Sequence, residues 1–299
     1  MMKVYDGIMG LVVGDALGVP FEFKKRDTFK ATDMIGYGTY NQPPGTWSDD
    51  SSLTLATLES IGRCGCVDLY DIMNNFFAWL NDGQFTPYGK VFDVGNSTRK
   101  AIQRYANGIE PLKCGGKSRI DNGNGALMRI IPVAMAQPEY ITPVARLTHA
   151  HFISSFACLI YAEIVKNLMA GKTKKISIGF GIERFFDDIQ TTPMLSDFQR
   201  LPNLYDSTRD EIRSSGYVVD TLEAALWCLW HTNTYRDCVL TAVNLGEDTD
   251  TVAAVAGGLA GILYGCGGER GIPKEWISQI PRKGWIEELC YDFESKFSK

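Results

Sequence analysis

Apolar positions recur mainly at helical spacing along this chain, and alternating strand patterns are nearly absent, which predicts an all-α protein. Residues 4–17 form the first helical stretch, with Gly10, Gly14 and, just beyond, Gly18 on one stripe that would let another backbone come close. Residues 18–47 read as loop, punctuated by Pro20, Gly36, Gly38, Pro43, Pro44 and Gly45. Helical periodicity resumes at 49–62 (Leu53, Thr57, Leu58, Ile61) and at 69–81 (Leu69, Ile72, Met73, Phe76, Phe77, Leu80). A helix over 97–106 stops before Asn107-Gly108.

The Gly-rich polar stretch 113–125 reads as a functional loop, because an apolar helix over 126–136 follows it directly. Helices are expected at 143–151 and 154–170, and again at 218–231, 234–244 and 250–264. Residues 172–216 are more polar, hold Pro193 and Pro202, and predict a surface excursion or a short helix pair. The longest apolar run, 252–265, is too short and too rich in Gly for a membrane span and predicts a buried central helix.

Composition narrows the classes. The 299 residues are 45% hydrophobic and 22% charged, which is ordinary globular usage with enough chain for a large core. A net charge of −5 with no run of five like charges argues against a broad nucleic-acid footprint, although a phosphate-bearing ligand needs only a few donors. Eight cysteines include no Cys-x-x-Cys pair, and the three histidines lack zinc-ligand spacing, so reduced thiols in a cytoplasmic protein are expected. The start, Met1-Met2-Lys3-Val4-Tyr5-Asp6, lacks the apolar region of a signal peptide.

Two acidic clusters about 200 residues apart carry the strongest chemical signal: Ser48-Asp49-Asp50 and Asp248-Thr249-Asp250-Thr251. Taken singly, each could be an N-cap with first-turn acids. The second opens a helix crowded with Ala and Gly, and acids at the mouth of a buried helix are costly unless paired or metal-bound. Oxygen-rich sets of this kind suit hard cations such as Mg²⁺. An EF-hand starting at Asp248 is excluded, because Ala253 and Leu259 stand where Gly and Glu are required. A helical isoprenoid synthase would place acids three or four residues after an aspartate pair, whereas Asp49-Asp50 is followed by Ser51, Ser52, Leu53 and Thr54. Other segments are individually weak. Glu22 reads as a loop carboxylate, Asp93 as a residue near a helix cap, Asn122-Gly123-Asn124-Gly125 as a turn able to expose N–H groups to phosphate, and His149 as a hydrogen-bonded helix histidine.

Taken in order, the segments resemble the ADP-ribosylglycohydrolase family. The match runs through Gly14-Asp15-Ala16-Leu17-Gly18 with Glu22, Gly45-Thr46-Trp47-Ser48-Asp49-Asp50, Phe92-Asp93-Val94-Gly95 and Gly123-Asn124-Gly125-Ala126-Leu127-Met128-Arg129. It continues through Thr148-His149, Ser215 to Leu222 and Asn244 to Thr251, spanning nearly the whole chain. The resemblance implies a single domain over 1–299, a compact orthogonal multi-helix bundle with a central buried helix and a binuclear metal cleft. It implies two Mg²⁺, Mn²⁺ in some members, held by Ser48, Asp49, Asp50, Asp248, Asp250 and Thr251, with Ser48 standing where the family usually has Thr. Glu247 stands where members usually have Gly, which adds an acid near the metals and bears on metal affinity and acceptor choice.

The implied reaction is hydrolysis of the bond between ADP-ribose and a modified protein side chain, with arginine favoured. Glu22 would be the acid/base or substrate-orienting carboxylate, and Asp93 a carboxylate at the ribose. Asn122, Gly123, Asn124 and Gly125 would cradle the diphosphate, His149 would lie in the ligand cleft, and Tyr217 would stack on adenine. ADP-ribosyl-serine, small ADP-ribosylated molecules, nucleic-acid ends and a non-catalytic ADP-ribose-binding regulator are the competing readings. No membrane partner is expected.

Overall fold

A computed structural model describes residues 3–297, so the ends of the expected 1–299 domain lie outside the described residues. The chain enters α1 (Lys3–Gly18), crosses a loop with two short 3₁₀ turns, and continues into α2 (Asp49–Cys64), α3 (Leu69–Asp82) and α4 (Asn96–Ala106). Three short helices follow, α5 (Pro111–Cys114), α6 (Ile131–Ala136) and α7 (Ile141–Ala145), and then the long α8 (Phe152–Met169). The remainder is α9 (Lys174–Glu183), α10 (Phe186–Thr191), α11 (Val218–His231), α12 (Tyr235–Val243), α13 (Thr249–Tyr264), α14 (Lys274–Gln279) and α15 (Lys283–Phe297). No β-strand occurs among the described residues, which contain only isolated bridges.

The centre is a pair of helices rather than one. All residues of α13 from Thr249 to Ile262 are buried, as are those of α1 from Asp6 to Gly18. They run antiparallel in near-contact, because the glycine stripe of α1 faces the small residues of α13. A Cβ on Gly10 would lie 2.4 Å from the Gly257 carbonyl oxygen, one on Gly14 2.2 Å from that of Ala253, and one on Gly18 2.3 Å from Asp250 Cα. The C-terminal end of α1 is thereby pinned against the N-terminal end of α13. A helix apolar all round belongs in a core. Accordingly, the two helices among the described residues that are long and apolar enough to cross a membrane, Lys3–Phe21 and Phe152–Met169, have 94% and 67% of their windows buried inside the fold.

Two expected helices are shorter than their apolar patterns suggest. Ala126 ends a short 3₁₀ turn, 127–129 form a turn, and α6 begins only at Ile131. Pro132 has no N–H to give Met128, and its ring would crowd the Met128 carbonyl if the helix ran through. That carbonyl instead accepts from Thr54 Oγ1 on α2 at 3.1 Å. The helix expected over 143–151 stops at Ala145. Beyond it the backbone pairs with Gly116, through Gly116 N–H to Thr148 O (3.0 Å) and Ala150 N–H to Gly116 O (2.7 Å). At the other end, α14 and α15 had no counterpart in the expected helices. Ile286, Cys290 and Phe293 form the buried face of α15, and Gly62 of α2 lies against Phe293.

Residues 172–216 are packed. Ile178, Ile182, Ile189, Leu195, Phe198, Leu201, Leu204 and Ile212 are all buried, Phe198 lies 5.0 Å from Phe156 of α8, and Trp227 of α11 donates to Ser207 O at 2.8 Å. Glu223 of α11 is buried in the same region. Its Oε2 lies 3.7 Å from Arg200 Nη1, its Oε1 has no partner, and burial pushes its carboxyl up to about 7. A carboxyl whose folded value is raised supports the fold fully below its unfolded value, and that support is lost as pH rises through about 7. Glu223→Gln should therefore raise stability by about 1–3 kcal/mol near pH 8.5 and change little near pH 5, as read from urea midpoints.

Candidate metal and ligand site

The antiparallel central pair brings both acidic motifs together. Asp15, in the last turns of α1, accepts from Ser48 N–H (2.9 Å), Ser51 N–H (3.0 Å) and Ser51 Oγ (2.6 Å), which fixes the start of α2. Thr249 Oγ1 donates to Gly18 O at 2.8 Å and fixes the start of α13. The two helix starts then meet at one atom. Asp50 Oδ2 accepts from Ser48 Oγ at 3.0 Å and from Thr251 Oγ1 at 3.3 Å, a contact across 201 residues.

Carboxylate oxygens of Asp15, Asp50 and Asp250 lie within 4.8 Å of one another, and so do those of Glu22, Asp248 and Asp250. Asp250 belongs to both sets. Asp50 Oδ1, Asp248 Oδ1, Asp250 Oδ2 and Glu22 Oε2 are buried with no hydrogen-bond partner. Among the described residues, none of these carboxylates forms an ion pair with Lys or Arg. Burial, and then mutual repulsion, raises Asp49, Asp50 and Asp250 well above the usual carboxylate range. Burial and the neighbouring Asp93 push Glu22 up to about 9. Unpartnered anionic oxygens flanked by two hydroxyls fit hard divalent cations, which would replace the missing hydrogen bonds and cancel the repulsion.

A cavity of about 350 Å³ opens beside the cluster. Glu22, Asp49, Asp93, Asp248 and Thr251 line its acidic wall. Glu22 is held near Asp248 by paired backbone bonds, Phe23 N–H to Glu247 O at 2.7 Å and Glu247 N–H to Lys24 O at 2.8 Å. Asp93 adopts φ +49°, a left-handed conformation rare for a residue with a Cβ, and sits with Glu22 beside the Tyr40 phenol.

The opposite wall includes Gly123, Asn124, Gly125 and His149. Asn124 braces the second acidic motif, because its Nδ2 donates to Asp248 Oδ2 at 2.9 Å, while its N–H is taken by Gly216 O at 3.0 Å. Its backbone is therefore not a free donor, unlike the expectation for the whole 122–125 turn. Asn122 points away from the cavity and ties the loop down through Arg119 O (3.0 Å), His151 Nδ1 (2.9 Å) and Ser154 Oγ (2.9 Å). Tyr217 does not line the cavity, and its hydroxyl donates to Asp197 at 2.7 Å.

Three contributors went unread in the sequence. Asp15 carries no expected role in the sequence, although an acid deep in an otherwise apolar helix is a signal. Tyr40 gave none. The start of α4 also lines the cavity with Asn96, Ser97 and Thr98. It has no capping side chain and no acid in its first turn, a helix end that favours anions.

Residues 2–299 match the sequence profile of the ADP-ribosylglycohydrolase family. The chain belongs to that family. It is similar to the ADP-ribosylarginine hydrolase Tri1 of Serratia proteamaculans (strain 568), with 32% identity over 300 residues that cover 96% of this chain and 78% of the relative. It is also 32% identical to the ADP-ribosyl-[dinitrogen reductase] glycohydrolase of Rhodospirillum rubrum over 296 residues, 94% of this chain and 91% of that protein. A solved structure described as an ADP-ribosylglycohydrolase-related protein complex superposes with a TM-score of 0.77 at 28% identity, covering 98% of this chain and 97% of that one.

Within this ADP-ribosylglycohydrolase, the departure at Glu247 has a backbone explanation. Its φ is +62°, where glycine is at ease, and its exposed side chain lines a separate surface cavity with Arg26, Arg213 and Asp220. The extra acid therefore faces away from the carboxylate cleft. Glu247→Gly should raise stability by about 0.5–1 kcal/mol in denaturant titrations and leave divalent-ion affinity unchanged.

Proposed function

We propose that this protein hydrolyses the bond between the anomeric carbon of ADP-ribose and the guanidino nitrogen of a modified arginine. One observation carries the reading. Two overlapping carboxylate sets share Asp250, and Glu22, Asp50, Asp248 and Asp250 each keep one buried oxygen without a partner, beside a cavity whose other side presents an uncapped helix start. The arginine acceptor is supported by the 32% identity to a relative named as an ADP-ribosylarginine hydrolase.

Ser48, Asp49, Asp50, Asp248, Asp250 and Thr251 would hold two divalent ions, Mg²⁺ or Mn²⁺, with Asp15 positioning the first motif. Such ions supply electrostatic hold on sugar hydroxyls and lower the proton affinity of bound water. The protein's own groups perform the rest. As the C–N bond breaks, its electron pair leaves with the guanidine nitrogen and positive charge develops on the ribose ring. The carboxylates of Glu22 and Asp93 stand at the cavity wall to stabilise that charge. Glu22 is placed to take the proton of the attacking water or to give one to the departing guanidine. Gly123, Gly125 and the start of α4 would receive the diphosphate.

Glu22→Gln is expected to lower kcat by about 10²–10⁴-fold while the far-UV spectrum and melting transition are retained. The decisive assay offers arginine-, serine- and nucleic-acid-linked ADP-ribose with Mg²⁺, with Mn²⁺ and after chelation. Release of ADP-ribose from the arginine substrate only when metal is present supports the proposal. Equal turnover with chelator, or none on any arginine-linked substrate, overturns it.

A further inference from the structure

Behind His149 lies a chain of buried polar groups that the reaction as described leaves unused. Arg129 is fully buried and has no acidic partner among the described residues. Its guanidinium stacks over Phe76 at 4.7 Å, and its Nε and Nη1 make no hydrogen bond. Its Nη2 donates to Thr148 Oγ1 at 2.7 Å and to Val144 O at 3.3 Å. Thr148 Oγ1 in turn lies 2.8 Å from His149 Nδ1.

The donor inventory of this chain favours one arrangement of its protons. An arginine side chain can only donate, so Thr148 Oγ1 must accept from it. The hydroxyl proton is then free to point elsewhere, and His149 Nδ1 is the acceptor within reach. A nitrogen that accepts carries no proton. With Nδ1 accepting, the proton of a neutral imidazole sits on Nε2, which has no protein partner among the described residues and belongs to a ring lining the cavity. The imidazole lies so close to the 123–125 turn that a Cβ on Gly125 would come within 2.8 Å of its Cε1. Burial, followed by the charge of Arg129, drives His149 down to about 3, so the ring remains neutral throughout the working range.

We propose that Arg129 and Thr148 are positioning residues that lock His149 as its Nε2–H tautomer, so that it presents one fixed hydrogen-bond donor to an anionic oxygen of the ligand in the cavity. The tautomer stands independently of the reaction. Its use on a ligand rests on the ADP-ribose reading, where the matching oxygens are those of the diphosphate. Without the relay, the imidazole would divide between two tautomers and present an acceptor for part of the time.

Nitrogen-15 NMR of histidine-labelled protein reads the tautomer directly, and with three histidines in the chain His149 is assigned by its loss in His149→Gln. The full-length protein should show a protonated Nε2 and a bare Nδ1 at neutral pH, with or without metal. Thr148→Ser should preserve that pattern. Thr148→Val should populate both tautomers and weaken ADP-ribose binding by about tenfold in calorimetry, the size of one lost hydrogen bond to a charged group. A proton on Nδ1 in the unmodified protein overturns the proposal, as does Thr148→Val with unchanged tautomer and affinity. If the tautomer is as assigned but ADP-ribose fails to bind the unmodified protein, the relay stands and the substrate reading falls.

Discussion

Asp250→Asn should lower turnover of arginine-linked ADP-ribose by about 10³-fold or more, equivalent to at least about 4 kcal/mol of transition-state stabilisation. Asp250 is the one carboxylate common to both clusters, so its loss weakens both ends of the site together. The same substitution has an opposite effect on the metal-free fold. Asp250 is fully buried, its Oδ2 has no partner, and Glu22, Asp93, Asp50 and Asp248 all repel its charge. A neutral amide of the same shape removes that repulsion. In chelator the variant should therefore melt at or above the temperature of the unmodified protein, whereas in millimolar Mg²⁺ it should fail to gain the stabilisation that ion binding gives the unmodified protein. Thermal melts with Mg²⁺ and with chelator test both halves. Retained activity, or an unchanged melting gain with Mg²⁺, would sink the assignment of Asp250 as a ligand.

The second large effect comes from Gly18→Ala. The added methyl would stand 2.3 Å from Asp250 Cα and 2.4 Å from Asp250 N. These are backbone atoms of a buried helix start and cannot rotate aside, so α1 and α13 must move apart. Overpacking of this kind costs about 3 kcal/mol or more, and here the displaced atoms belong to a proposed ligand. Stability and divalent-ion response should fall together. Gly179→Ala is the matched control. Gly179 lies within α9 with nothing within 4 Å of a Cβ, so the same change there should add about 0.5–1 kcal/mol. Urea denaturation of the two variants separates a helix-propensity effect from a collision. Equal midpoints would refute the collision.

Sequence legibility followed the range of the forces involved. The stripe at Gly10, Gly14 and Gly18 was readable as a contact surface because helical spacing is local, and it proved to be one side of the central pair. Ile286, Cys290 and Phe293 carry the same kind of spacing in α15, yet no helix was read there. The late start of α6 was readable from Pro132, which cannot donate to the Met128 carbonyl, whereas the partner that carbonyl finds, Thr54, is 74 residues away and was not. The acidic motifs announced cation chemistry by composition, but their meeting came from the family resemblance rather than from spacing. Asn122 and Asn124 look alike in sequence. One braces the loop through Arg119, His151 and Ser154, and the other braces Asp248, a division set entirely by tertiary partners. Tyr217, read as an adenine platform, is held by Asp197, a residue from the segment whose packing was least predictable.

The union of α1 with α13 has a consequence for how the molecule is made. Their contact from Gly18 to Thr249 spans 231 residues, so during synthesis α1 leaves the ribosome long before its partner exists. At roughly 5–20 residues per second, the wait is about 10–50 s. Throughout that interval the apolar, glycine-faced stripe of this segment lacks its main partner. The nascent polypeptide should depend on chaperone shelter until translation is nearly over, and catalytic competence should arrive late and all at once.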